Sequence, residues 1–179
     1  SRKQYGSDRT AVASSKSNDT DILLPGVSFT YDMDSNWQTL AGYHKGFSPI
    51  GGGASSEEEP EESDNFEFGA RYANNGLFVE GIFFYSDFSD KAENCSLASP
   101  CSNDATSGRY VTGEAEIQGV ELQIENTFKS NNLSIPVSFA YTYTQAEITG
   151  SSNSSGYVSG DKLKAVPESV FSLRAGFEH

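Results

Sequence analysis

Basic residues are scarce in this 179-residue chain: 12 Lys and Arg stand against 25 Asp and Glu, a formal net charge of −13. A surface of that sign repels phosphate backbones, which argues against nucleic acid as a partner. Histidine is scarcer still. With only His44 and His179 available, no nucleophile–histidine–acid set can be assembled. Nor can a zinc site of soft ligands be completed around Cys95 and Cys101. These are the two cysteines of the chain. They are better read as a disulfide closing one loop, which places that loop in an oxidising compartment. Gly51, Gly52 and Gly53 lack the strand-to-helix setting of a phosphate loop. The residues therefore give no case for an enzyme, a cofactor or a protein-bound metal. No run of about 18 apolar residues occurs, and no signal peptide is read at the start. A helical membrane anchor is excluded on this reading. A membrane β-barrel is not, because its strands show only weak alternation.

What the chain does have is aromatic residues, 12% of the total, gathered in alternating runs. The clearest lies at 64–88. Phe66, Phe68, Ala70 and Tyr72 fall on one face of an extended run, and Asn65, Glu67, Gly69 and Arg71 on the other. Asn74-Asn75-Gly76 supplies the positive φ values of a tight hairpin turn. The return run puts Leu77, Val79, Gly81, Phe83 and Tyr85 in phase, but Phe78, Ile82 and Phe84 interrupt its polar face. Further alternating runs start at Val27, Trp37, Gly113, Leu133 and Phe171. In the run from Gly113 the apolar phase slips at Gly119, from Ala115 and Ile117 to Val120, Leu122 and Ile124. That slip predicts a β-bulge. Pro136 predicts a bulge or an unpaired side. Arg71 and Glu67 are expected to pair on the polar wall. The sum is an all-β fold, an antiparallel up-and-down meander of about seven strands.

The connections alternate short and long. The short ones are read at 34–36, 74–76 and 129–132; the long ones at 48–63, 89–112 and 149–168. In a meander successive connections sit at opposite ends, so every short turn falls at one end and every long loop at the other. Outer-membrane barrels have this asymmetry. Strands of 10–12 residues, tilted by about 45°, cover roughly 25 Å of height.

Several stretches resemble the barrel of TonB-dependent outer-membrane receptors. They are Leu24-Pro25-Gly26-Val27-Ser28-Phe29 and His44-Lys45-Gly46-Phe47-Ser48-Pro49. Next comes Glu61-Glu62-Ser63-Asp64-Asn65-Phe66-Glu67-Phe68-Gly69-Ala70-Arg71-Tyr72. Ile117-Gln118-Gly119-Val120-Glu121-Leu122, Ala140-Tyr141-Thr142-Tyr143-Thr144 and Val166-Pro167-Glu168 complete the series in the family's order. The likeness extends to receptors of the ferric-dicitrate and siderophore type. It implies a segment of a roughly 22-stranded transmembrane β-barrel with a plug in its lumen, located in the bacterial outer membrane. It further implies a ferric siderophore or similar iron chelate as cargo, and energy from TonB acting through a missing N-terminal region. Residues 1–22 are expected to be a polar loop or frayed end, and 23–179 a partial barrel in which nothing matches the plug. The family's barrels usually end on an aromatic residue, and here the end is His179, which predicts an internal piece. Such a piece leaves both sheet edges unpaired and should require outer-membrane lipid or detergent.

The candidate ligand-binding residues are the bases of the loops and lumen: His44, Lys45, Lys91, Arg109, Lys162 and Lys164. An anionic ferric chelate favours such cations, although surface solubility accounts for scattered bases equally well. If Tyr43 faces lipid, His44 faces the lumen, where a hydrogen-bonded structural histidine is the plainer reading. Glu57, Glu58, Glu59, Glu61 and Glu62 read as a solvated loop, because calcium needs oxygens arranged around one point. Two rival readings are a secreted or surface β-sandwich binding glycan or protein, and a non-specific porin-type channel. The sandwich would bury Glu67 and Arg71 in a core, which counts against it.

Overall fold

The structure, a computed structural model, describes residues 22–48, 60–150, 156–164 and 166–178. The expected polar end before residue 22, Gly51 to Gly53, Glu57 to Glu59 and His179 lie outside the described residues. Seven strands follow one another: β1 (Gly26–Asp32), β2 (Trp37–Ser48), β3 (Glu61–Asn74), β4 (Leu77–Cys95), β5 (Gly108–Ser130), β6 (Leu133–Ile148) and β7 (Ser169–Ala175). They form one sheet in sequence order, with every neighbouring pair antiparallel. The described strands are thus a single-layer meander, and the second sheet that a sandwich needs is not among them.

The short turns have local causes. Asn75 (φ 48°) and Gly76 (φ 88°) both take the left-handed conformation of a two-residue hairpin turn. At the β1–β2 turn the Asp34 carboxylate accepts hydrogen bonds from the Asn36 and Trp37 amides, at 2.7 and 2.9 Å, a side-chain mimic of a backbone turn. The remaining short connection, 131–132, has Asn131 at φ 50°.

Register divides the sheet into two faces. Residues directly opposed across strands share a face. One row runs Phe29, Ala41, Phe68, Phe83, Val120 and Tyr143; the next runs Tyr31, Thr39, Ala70, Gly81, Leu122, Tyr141 and Phe171. This face is apolar and uncovered: Phe68 is 62% exposed, Phe29 68% and Phe171 74%. Aromatic contacts border it. Trp37 and Tyr72 meet at 5.0 Å near the short-turn end, and Tyr43, Phe66 and Tyr85 form a chain near the long-loop end. Above that chain the row becomes Lys45, Asp64, Asp87, Glu116 and Glu147. On β6 the apolar set from Leu133 to Tyr143 covers about 33 Å along the strand, or about 23 Å of height at a tilt of about 45°.

The opposite face is polar. Its row Asp32, Gln38, Arg71 and Glu80 is hydrogen-bonded from strand to strand: Gln38 donates to Asp32 at 2.7 Å, and Arg71 donates to Gln38 at 3.0 Å and to Glu80 at 2.6 Å. Arg71 therefore pairs across to Glu80, one strand away, rather than with Glu67 along its own strand. Direct opposition in the register favours this partner. Phe78, Ile82 and Phe84 also lie here. Phe78 takes the Arg71 guanidinium over its ring at 5.9 Å. Ile82 and Phe84 rest over Gly69 and Gly119.

Gly119 carries no bulge: the β4–β5 and β5–β6 registers run unbroken through it. Ala115 and Ile117 simply belong to the other face from Val120. The irregularities lie further on, where the register shifts between Phe88 and Lys91 and again between Lys91 and Ala92. The first adds a residue on β4 and the second a residue on β5, so the pairing returns to its original register. Asp90 (φ 53°) and Gly113 (φ 84°) take the conformations that these bulges need. Beyond them β4 and β5 continue to Cys95 and Gly108, so much of the expected 89–112 loop is a strand extension. β3 likewise begins at Glu61, inside the expected 48–63 loop.

Pro136 sits in register opposite Thr127, with no bulge. Its carbonyl accepts from the Gly176 amide at 3.0 Å, so its missing N–H faces β7. The ladder loses that one bond, and pairing resumes as an isolated bridge between Ser134 and Glu178. Among the described residues the buried apolar side chains gather at the long-loop end. Ala115, Ala146, Ile148, Tyr157 and Leu163 form a small core there, with Phe88, Tyr110, Ile117 and Val166 packed against it.

Candidate functional site

Two parts of the polar face concentrate chemical groups. The first is a shallow groove of about 300 Å³ across β2, β3, β4 and β5. Its floor is Phe84 and Ile82, and its rim includes His44, Glu67 and Glu121. Asn65 sets its upper side: it donates to the Ser63 hydroxyl at 3.0 Å and accepts from the Ser86 hydroxyl at 2.7 Å. Ser63 is buried and fits against Gly46, whose hydrogen leaves the space that its side chain occupies. The groove thus combines an apolar floor with carboxylates and amide groups, a surface suited to holding a polar or cationic group by its edges.

The second part is at the long-loop end, where two loops meet. The disulfide between Cys95 and Cys101 closes the tip of the β4–β5 hairpin. Glu93, just below it, accepts three hydrogen bonds of 2.8 Å, from the Ser102 amide, the Ser102 hydroxyl and the Tyr157 hydroxyl. Tyr157 belongs to the β6–β7 connection and is 2% exposed. Burial first, and the bond to Glu93 second, push its hydroxyl far above the ordinary phenol value. The Lys164 amide donates to the Ser102 hydroxyl at 3.2 Å, and the Lys164 ammonium pairs with Asp104. That hydrogen bond holds the Asp104 carboxyl below the usual range. Lys162 pairs with Glu168, which raises the lysine and lowers the glutamate.

The structure places the expected ligand-binding residues in three settings. His44 is exposed and on the polar face, at the groove. Lys45 is on the opposite, apolar side, at its polar border, with Glu62 at 3.4 Å and Asp64 at 3.9 Å. Lys91, Arg109, Lys162 and Lys164 are at the long-loop end. Lys91 pairs with Glu61 at 3.5 Å and lies over the Phe88 ring at 4.8 Å; Arg109 pairs in register with Asn94. Lys162 and Lys164 share one segment of the β6–β7 connection. His44 is not brought together with them. Glu93, Tyr157, Ser102 and Asp104 were not anticipated: Tyr157 is 64 positions from Glu93, and no local pattern reports such a contact.

Comparison with known proteins bears on both parts. A comparison with curated protein sequences gives no significant match. Among solved structures the chain is similar to the FrpB iron transporter from Neisseria meningitidis (F3-3 variant), with a TM-score of 0.50 and 16% identity. That superposition covers 69% of this chain and 20% of the FrpB chain, so the present chain spans a fraction of the length of that neighbour. The family model for the TonB dependent receptor-like β-barrel matches residues 1–179. A meander with one uncovered apolar face, aromatic borders and short turns at one end is the wall such a barrel requires. The chain belongs to the TonB-dependent receptor-like β-barrel family and is a stretch of outer-membrane barrel wall.

Proposed function

We propose that this chain is a segment of an active-transport receptor that binds a ferric siderophore or similar iron chelate at the cell surface and imports it with energy from TonB. TonB acts through an N-terminal plug region outside this chain. The observation that carries the reading is the polarity of the wall. Its long connections, its buried core and its loop-to-loop hydrogen bonds all gather at one end, while the barrel-forming strands below carry lipid-facing residues on one side and polar residues on the other. Iron as the cargo is in keeping with the FrpB neighbour. No covalent step is involved: the wall holds, orients and releases.

In this reading His44 lines the lumen, and Lys91, Arg109, Lys162 and Lys164 belong to the ligand-facing loops. Lys91, Lys162 and Lys164 each already hold a carboxylate. An anionic chelate reaches them by exchanging with Glu61, Glu168 or Asp104, which makes its binding weaken with ionic strength. Lys45 faces the outer leaflet and contributes to anchoring. The test is uptake of radiolabelled ferric chelates by cells with and without the receptor gene, in backgrounds with and without TonB. Uptake that needs both supports the reading. Steady ion conductance of the purified receptor in a planar bilayer, without TonB-dependent uptake, would replace it with a passive channel.

A further inference from the structure

We propose that the segments 96–107 and 156–164 form one mechanical unit, clasped around Glu93, so that these two external loops open and close together. The inference does not depend on which ligand the receptor carries. The loops leave different strand pairs, yet their groups meet on a single carboxylate. Glu93 uses both oxygens: one accepts from the Ser102 hydroxyl, and the other from the Ser102 amide and the Tyr157 hydroxyl. Ser102 in turn accepts from the Lys164 amide, and Asp104 pairs with the Lys164 ammonium. Lifting 156–164 away breaks its bonds to Glu93, Ser102 and Asp104 together, and it uncovers Tyr157 and Leu163, which are 2% and 5% exposed and pack in the small core with Ala115, Ala146 and Ile148. A network whose central members, Glu93, Ser102 and Lys164, each serve two partners releases cooperatively.

The disulfide belongs to the device. Cys101 is buried, its amide bonds to the Ala105 carbonyl, and its own carbonyl accepts from the Asp104 amide. The bridge to Cys95 therefore fixes the turn that presents Ser102 to Glu93 and Asp104 to Lys164. Leu97, at the tip of the same ring, is 87% exposed and contributes nothing to the clasp.

Hydrogen exchange on the full chain in detergent micelles tests the coupling, because each variant is read in the loop it does not alter. Tyr157→Phe removes one hydroxyl from 156–164 and is expected to speed amide exchange in 96–107 about three- to tenfold, the equivalent of one hydrogen bond. Reduction of the Cys95–Cys101 bridge in the folded protein, which needs no refolding, is expected to speed exchange in 156–164 by at least as much. Leu97→Ser should change neither. Exchange that rises only in the altered segment, with the other unchanged in both experiments, would overturn the proposal.

Discussion

Phe84 and Gly119 face each other directly across β4 and β5, and the ring occupies the space that a side chain at 119 would fill. A Cβ built on Gly119 would lie 2.6 Å from the ring and 2.0 Å from the Tyr143 carbonyl oxygen. The second contact is with backbone and cannot be relieved by a rotamer change. The glycine is there for close approach, not for a bulge. Gly119→Ala is accordingly expected to destabilise the sheet by at least about 1–3 kcal/mol. Gly81, on the apolar face of β4, meets nothing within 4 Å, so Gly81→Ala should be neutral or stabilising by about 0.4–1 kcal/mol. Urea unfolding in detergent or liposomes measures both.

The two faces predict opposite tolerance to charge. Phe83 lies in the middle of the apolar row. Phe83→Arg should cost about 2–4 kcal/mol in a bilayer, the range for a cation at mid-depth on a lipid-facing wall. Glu121 occupies the polar face one strand away, and Glu121→Gln should stay within about 0.5 kcal/mol. Folding into liposomes followed by urea titration gives the comparison.

Arg71 is committed to Glu80, whose side chain is 15% exposed. Arg71→Ala leaves that carboxylate half-buried without its partner, and a loss of about 1–3 kcal/mol is expected. Arg71→Ala combined with Glu80→Ala should lose less than the sum of the single changes. A double-mutant cycle by urea unfolding reports the difference. Additivity would mean that the pair is not coupled.

Docking of the external loops should depend on pH at both extremes. Asp104 has its folded pKa depressed by Lys164, so its stabilising contribution is present above the ordinary carboxylate value and is lost as pH falls through the depressed one. Tyr157 has its folded pKa raised, so its contribution is present below the ordinary phenol value of about 10 and is lost as pH rises beyond it. Protection of 156–164, corrected for the intrinsic pH dependence of exchange, should be flat from about pH 5 to 9 and fall on either side. In an alkaline absorbance titration, Tyr157 should ionise only as its loop undocks.

Much of the sheet could be read in the sequence because lipid on one side and water on the other impose a period of two. Phe66, Phe68, Ala70 and Tyr72 against Asn65, Glu67, Gly69 and Arg71 report both faces and the Asn75-Gly76 turn together. The signal fails where the environment changes. Beyond Phe88 the strand continues through Ser89, Asp90, Lys91 and Glu93, past two register shifts and with loop polar groups rather than lipid against it, so no apolar alternation marks it. Ala115 and Ile117 mislead for a related reason. Their face is polar lower down, but at the loop end it carries the core closed by Tyr157 and Leu163. An unbroken register therefore imitates a slip. The contacts around Glu93 join residues too far apart in sequence for any local period to report them. The bases of the loops were legible as residues, while their carboxylate partners were not.

The central claim is that the row from Phe29 to Tyr143 faces lipid. Nitroxide labels placed one at a time on successive positions from 64 to 72 and from 78 to 86, in liposomes, test it through accessibility to oxygen, which concentrates in the bilayer, and to a water-soluble nickel chelate. The account predicts that oxygen accessibility alternates with period two, with maxima at Phe66, Phe68, Ala70, Val79, Gly81 and Phe83 and minima at Glu67, Gly69, Ile82 and Phe84. Labels at Phe66, Phe68 and Phe83 shielded from both reagents would place those side chains in a closed protein interior and contradict it.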